Sequence, residues 1–131
     1  MRKLTIDFET RSTTPIKTVG AAAYAQAPTT EVICLALKWE GAAPVIWYSP
    51  CFREMMLPEL ITSFDKALVT GVTVRRMIAE ADIIEAHNAQ FEYFIWRYVM
   101  CRYGFEMFDA RKLRCSAAKA CTYGFPRDLA S

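Results

Sequence analysis

The segment LTIDFET, residues 4–10, decides the expected fold because it alternates apolar and polar side chains near the start of the chain. Its apolar members are Leu4, Ile6 and Phe8. Successive side chains of a strand point to opposite faces, so this pattern predicts a strand with one apolar face. The other face carries Asp7 and Glu9, two like charges that repel each other unless a cation or a proton lies between them.

Length and composition favour one globular domain that spans residues 1–131. Hydrophobic residues make up 53% of the chain and charged residues 23%, which argues against disorder. No run approaches the roughly 18 apolar residues that a membrane helix needs. Because the predicted strand follows Met1-Arg2-Lys3 at once, there is no room for a signal peptide. We therefore expect a soluble cytoplasmic protein with no membrane partner.

The residues that could bind a metal ion are mostly carboxylates. The five cysteines form no CxxC pair, and His87 is the one histidine, so free thiols are expected and a zinc site is not. Carboxylates favour hard ions such as Mg²⁺ or Mn²⁺. The net charge is only +2, although basic residues form small groups at 2–3, 75–76 and 111–114. These groups fit either a solvated surface or the rim of a phosphate-binding site.

Periodicity along the chain predicts an α/β fold. Expected strands cover residues 3–9, 31–39, 45–49, 82–86 and 111–115, and the first three form an antiparallel meander. Expected helices cover residues 58–68, 72–81, 90–103 and 116–124. Pro15 and Gly20 mark residues 10–20 as irregular, and Gly104 is expected to end the third helix. Together these elements predict a mixed five-stranded sheet flanked by helices.

A second segment of interest is AHNAQFE, residues 86–92, where a buried strand ends and a helix begins. Each of its residues has an ordinary explanation: Asn88 caps the helix, Phe91 lies in the core, and the helix dipole favours Glu92. In open α/β sheets, however, ligands gather at strand ends near the start of helices. A carboxylate placed there can complete a metal site whose other members lie on a neighbouring strand.

The two segments together resemble a known family. IDFET is similar to the first motif of the DnaQ-like (DEDD) 3′–5′ exonuclease superfamily, and AHNAQFE is similar to the second. The wider pattern most resembles the N-terminal proofreading exonuclease domain of phage-type family A DNA polymerases, and the likeness covers nearly the whole chain. The resemblance implies a ribonuclease-H-like fold, in which the meander feeds the mixed five-stranded sheet.

The resemblance also implies roles for individual residues. Asp7, Glu9 and Glu92 are the expected catalytic residues and ligands of a two-metal Mg²⁺ or Mn²⁺ site. The expected substrate-binding residues are Thr10, Asn88, Phe91 and His87. Asn88 and Phe91 would orient the terminal nucleotide, and the backbone of Thr10 would lie near the 3′ end. His87 has no fixed role in the motif, so it is expected to be structural, with substrate contact as the alternative.

The sequence departs from the family pattern in two places. The second motif usually has Asp where this chain has Glu92, a change that a different rotamer can absorb. The third motif, a Tyr or His followed four positions later by Asp, is not found. Tyr123 and Asp128 come nearest, but Gly124 and Pro126 lie between them and break helical geometry. We expect a domain that lacks the C-terminal helix of the third motif.

The expected function is a divalent-metal-dependent 3′–5′ exonuclease that hydrolyses the terminal phosphodiester of DNA, as in proofreading. Its expected partner is a single-stranded DNA 3′ end, with a polymerase domain or a second copy of the chain as further partners. If the chain is phage-encoded, its location is the host cytoplasm. The alternative is a non-catalytic DnaQ-like module that binds nucleic acid or a partner protein. The same carboxylates occur in ribonucleases of the superfamily, so RNA stays open as a substrate.

Overall fold

The fold is an α/β arrangement with a mixed five-stranded sheet. The computed structural model describes residues 1–55 and 68–117. Its elements are β1 (Lys3–Arg11), α1 (Ile16–Gln26), β2 (Glu31–Trp39), β3 (Val45–Tyr48), α2 (Pro50–Met55), α3 (Gly71–Glu80), β4 (Ile83–Ala86), α4 (Ala89–Tyr98) and β5 (Leu113–Cys115). No helix in these two ranges is long and apolar enough to cross a membrane.

The strands lie in the order β3-β2-β1-β4-β5, with β1 at the centre. β1 pairs with β2, and β2 with β3, in antiparallel orientation, which confirms the predicted meander. β4 runs parallel to β1, and β5 runs parallel to β4. The predicted mixed five-stranded sheet is therefore confirmed. β1 joins the antiparallel half of the sheet to the parallel half.

The alternation along β1 divides the sheet into an inner and an outer face. Leu4, Ile6 and Phe8 are at most 5% exposed and form the inner face of β1. Asp7 and Glu9 are exposed on the outer face. On β2 the inner face continues with Leu35 and Leu37, which are fully buried and pair with Phe8 and Ile6.

Helix α4 packs against the inner face through large apolar side chains. Ile95 and Trp96 are almost completely buried, and the Trp96 ring meets the Phe8 ring edge-on at 5.9 Å between centroids. The indole Nε1 of Trp96 donates a hydrogen bond to the carbonyl oxygen of Glu106 at 2.8 Å, so its polar atom is satisfied. Helix α1 packs in turn against α4. This packing holds the N-terminus of α4 close to β1.

The prediction that residues 10–20 are irregular is wrong. β1 continues to Arg11, and α1 begins at Ile16, directly after Pro15. Pro is compatible with a helix start because the missing N–H would have no helical partner there. Gly20 interrupts the helix with φ 84° and ψ 167°, a conformation open mainly to glycine. Pro15 and Gly20 therefore begin and bend a helix instead of excluding one.

α3 and α4 follow the predictions with changes at their ends, whereas α2 covers Pro50–Met55, where no helix is predicted. α3 covers Gly71–Glu80, and the Thr70 hydroxyl accepts a hydrogen bond from the Thr73 N–H at its start. Val72, the second residue of this helix, is 72% exposed. α4 ends at Tyr98 and continues as a 3₁₀ helix, Met100–Tyr103, until left-handed Gly104. Of the helix predicted at residues 58–68, residues 58–67 lie outside the described residues, and Leu68 forms an isolated β-bridge with Ile46 instead of ending a helix. The part of the last predicted helix after Ala117 also lies outside the described residues.

We expect the substitution Leu35→Ala to lower the free energy of unfolding by about 2–5 kcal/mol, because it leaves a cavity on the fully buried inner face. The matched control is Val72→Ala, which also shortens an aliphatic side chain but at an exposed position, and should change stability by less than about 0.5 kcal/mol. Urea unfolding followed by circular dichroism measures both. Equal losses in the two variants would contradict the assignment of the inner face as core.

Candidate active site

A β-bulge follows directly after the two carboxylates of β1. Glu9 pairs with Cys34 of β2, but Thr10 pairs with Val32, so Ile33 is an extra residue on β2. A bulge bends its strand and changes the direction of nearby side chains, and bulges are frequent beside active sites. The carboxylates of Asp7 and Glu9 therefore lie on the outer face just before an irregular point of the sheet.

The third predicted carboxylate reaches the same region from α4. β4 pairs with β1 only at residues 3–5 within the described sheet, which leaves the next part of that edge of β1 open toward α4. Glu92 lies in the first turn of α4 and is 4% exposed. Its carboxyl group bonds to the backbone N–H of Phe8, in the middle of β1. The structure thus places Glu92 close enough to Asp7 and Glu9 for their charges to act on it.

Burial and like charge together make Glu92 a weak acid. Burial is the largest cause and the charge of Asp7 the second, and together they raise the pKa of Glu92 to about 8, with a smaller increase from Glu9. The hydrogen bond from the Phe8 N–H lowers the pKa but does not offset these effects. A carboxyl group in this environment is neutral near pH 7 unless a cation compensates its charge.

One oxygen of Glu92 is an unusual buried acceptor. Its Oε2 atom is buried and has no hydrogen-bond partner among the described residues. Such a group is costly to bury, and native structures normally satisfy it. A hard divalent cation would supply both the missing partner and the missing positive charge. The three carboxylates fit such an ion by their chemistry, although no three ligand-type side chains in the described ranges are already arranged around a common point.

His87 and Asn88 lie at the end of β4, beside the carboxylates. His87 and Asp7 line the same open cleft of about 400 Å³. The imidazole Nδ1 of His87 lies 3.4 Å from the Ser116 hydroxyl, and the His87 side chain is exposed. Asn88 occupies the N-cap position of α4, but its side chain makes no capping hydrogen bond to any described residue. Both side chains remain available to a ligand.

Thr10 and Phe91 are connected through Tyr24, a residue that the sequence reasoning missed. The hydroxyls of Thr10 and Tyr24 are 2.8 Å apart, and the Tyr24 ring lies 6.1 Å from that of Phe91. Tyr24 is 7% exposed and belongs to α1. The run AAAYA, residues 21–25, favours a helix and could have indicated this element. Phe91 is half-buried against Tyr24, and its contact with a nucleotide stays a prediction.

Cys34 is a second neighbour that the sequence did not indicate. It is half-buried and stands opposite Glu9 across the β1–β2 pair. Burial is the main cause that raises the pKa of its thiol, and the charges of Glu9 and Asp7 raise it further. Alternation along β2 could have shown the face of Cys34, but its register with Glu9 depends on the bulge.

Comparisons with protein-family models, curated proteins and solved structures found no match.

We expect the Glu92 carboxyl to make stability depend on pH when divalent ions are removed with EDTA. Its pKa is about 8 in the folded protein and ordinarily 4.5, so the folded state binds the proton more tightly. The contribution of this group to the free energy of unfolding is therefore complete below about pH 4.5 and is lost as the pH rises through about 8. The total loss is on the order of 5 kcal/mol, since the pKa rises by about 3.5 and each pKa unit corresponds to about 1.4 kcal/mol.

Urea unfolding of the wild type and of Glu92→Gln at pH 5, 7 and 9 measures this loss. The Gln variant keeps the shape of the side chain but cannot ionise, so it should lack the decrease. Glu80→Gln, which removes an exposed carboxylate paired with Arg2 at the opposite end of the sheet, should retain it. An identical pH dependence in Glu92→Gln and the wild type would show that Glu92 is not the group responsible.

Proposed function

We propose that this chain is a divalent-metal-dependent 3′–5′ exonuclease domain with a ribonuclease-H-like fold. The observation that carries the proposal is the buried Glu92 carboxyl group, which has one oxygen without a partner among the described residues and a pKa raised by burial and by the charges of Asp7 and Glu9. Perturbed carboxyl groups beside an open cleft are typical of functional sites. The mixed sheet with an antiparallel meander at one side supports the fold assignment.

Asp7, Glu9 and Glu92 are the residues that would hold one or two Mg²⁺ or Mn²⁺ ions. When bound, these ions polarise the terminal phosphodiester and lower the pKa of the attacking water. Asp7 and Glu9 are exposed to solvent and can accept ions without a change of the core. Glu92 holds a proton on its carboxyl group in the free protein near neutral pH and would release that proton on cation binding.

The surrounding residues would bind and orient the end of the strand. His87 shares the cleft with Asp7, and its exposed imidazole can donate a hydrogen bond to a phosphate oxygen. Asn88 presents an amide at the start of α4, where backbone N–H groups favour anions. Tyr24 fixes Thr10 at the bulge through its hydroxyl, which would keep the backbone beside Glu9 in one position for the 3′ end.

Tyr123 and Asp128, the nearest approach to the third motif in the sequence, lie outside the described residues. The non-catalytic alternative shares the fold and differs in what the carboxylates do. Metal-dependent cleavage of DNA and binding of Mn²⁺ distinguish the two functions.

We expect the protein to shorten a labelled single-stranded DNA from its 3′ end in the presence of Mg²⁺ or Mn²⁺. Asp7→Asn should reduce the rate by about 100-fold or more, because it removes a carboxylate that would hold the cation, and the cation is what stabilises the negative charge of the transition state. Glu80→Gln should leave the rate unchanged, since Glu80 lies at the opposite end of β1, paired with Arg2. Gel electrophoresis of 3′- and 5′-labelled DNA, with an RNA of the same sequence in parallel, gives the polarity and the sugar preference. Equal rates in wild type and Asp7→Asn would refute the proposal.

We also expect Mn²⁺ to bind the wild-type protein in calorimetric titrations at pH 7 and to release protons as it does so. Glu92→Gln should bind more weakly and release fewer protons, because Glu92 is the carboxyl group that is neutral at this pH. Repeating the titration in buffers of different ionisation enthalpy gives the proton count. Mn²⁺ binding that is the same in both proteins would exclude Glu92 as a ligand, and no binding at all would favour the non-catalytic module.

A further inference from the structure

A row of side chains crosses the outer face from the carboxylates to the edge of the sheet. Glu9 on β1 pairs with Cys34 on β2, and Cys34 pairs with Tyr48 on β3. Residues directly opposite in neighbouring strands share a face, so all three lie on the outer face. The charge of Glu9 acts on Cys34, and Cys34 acts on Tyr48, which agrees with their adjacency. Tyr48 is therefore the edge member of the row that contains Glu9.

Tyr48 forms a stacked aromatic pair with Phe52 of α2. Their ring centroids are 5.5 Å apart and the ring planes differ by 18°. Both side chains are half-buried, so part of each remains accessible. The buried Ser49 holds the pair in place: its N–H donates to the Ile33 carbonyl at the bulge, and its hydroxyl accepts from the Phe52 N–H. The pair is thus fixed to the same irregular point of the sheet as the carboxylates.

The charge beside this pair suits a phosphate backbone. The Arg53 side chain follows Phe52 on α2 and is exposed. Two strand spacings of about 4.8 Å separate Glu9 from Tyr48, a distance of about 10 Å. One strand of a B-form duplex advances about 3.4 Å per nucleotide, and a single strand with unstacked bases advances further, so about one to three nucleotides span that length. Aromatic rings next to a basic residue are the usual combination by which proteins bind single-stranded nucleic acid.

We propose that Tyr48 and Phe52 form a base-stacking subsite for single-stranded nucleic acid, which holds a base two to four positions from the 3′ end while Arg53 contacts its phosphate. The inference rests on the proposed function, because it takes the strand end to lie at Asp7 and Glu9. It also assigns the preference for single strands to the edge of β3, since bases inside a duplex are stacked on their neighbours and do not offer a free face to the rings. A second stacked pair, Phe94 with Tyr98, provides an internal comparison: it lies on α4, and the Arg97 guanidinium covers the Tyr98 ring at 5.5 Å.

The test measures binding of a fluorescein-labelled ten-nucleotide oligothymidine by fluorescence anisotropy, with Ca²⁺ as the divalent ion and gel analysis to confirm intact DNA. Tyr48→Leu and Phe52→Leu keep apolar bulk but remove a ring, and each should raise Kd by at least about fivefold. Arg53→Gln should weaken binding and reduce its dependence on salt concentration. The control Tyr98→Leu, from the second stacked pair, should bind like the wild type, and thermal unfolding checks that all variants are folded.

A scan with single abasic positions separates stacking from a structural effect. In the wild type, an abasic residue two to four positions from the 3′ end should weaken binding by at least about fivefold, and one at the 5′ end should not. In Tyr48→Leu the same abasic residue should have little further effect, because the ring that its base contacts is gone. Two results would overturn the subsite and leave the exonuclease proposal intact. In one, the abasic position weakens binding by Tyr48→Leu as much as it weakens binding by the wild type; in the other, Tyr48→Leu binds the unmodified oligothymidine as tightly as the wild type does. A wild type that binds no oligothymidine overturns both.

Discussion

The pleat of β1 is the constraint on which the other features depend. One strand has to bury Leu4, Ile6 and Phe8 and expose Asp7 and Glu9, and a strand does both by alternation alone. Because β1 is the central strand, its apolar face is covered by α4, while its polar face stays open. A slip by one residue would bury both carboxylates and expose the core side chains. The same strand therefore specifies both the core and the candidate site.

Glu92 belongs to the helix on the inner face but interacts with carboxylates of the outer face, and its ionised form lowers the stability of the fold. It belongs to the helix that packs on the core, yet its carboxyl group is oriented toward the charges of Asp7 and Glu9. Natural proteins retain such an unfavourable arrangement mainly where function requires it, and the surrounding core compensates. Trp96 and Ile95, one turn further along α4, provide that compensation through burial. The packing of α4 on the core keeps the Glu92 carboxyl group buried, although burial by itself is unfavourable for that group.

Much of this arrangement can be predicted from the sequence, because it depends on local patterns. Alternation identifies β1 and its two faces, and Gly104 marks the end of the helical segment that carries Glu92. Cross-strand neighbours are harder to predict. The bulge after Glu9 affects the register of Cys34, and no local sequence signal indicates that bulge. Helix α1, and with it Tyr24, escapes prediction because Pro15 and Gly20 suggest a break, whereas packing against α4 keeps the helix in place.

The parallel pairing of β1 with β4 has a consequence for the order of folding. The Arg2 N–H at the start of β1 bonds to Asp82 at the start of β4, 80 positions further along the chain. Contacts of such long range form slowly, because a large loop has to close before they contribute any stability. The meander of β1, β2 and β3 is more local and can assemble first. During synthesis Asp7 and Glu9 would then lie on a partial sheet well before Glu92 leaves the ribosome, so the proximity of Glu92 to these two carboxylates arises late in folding.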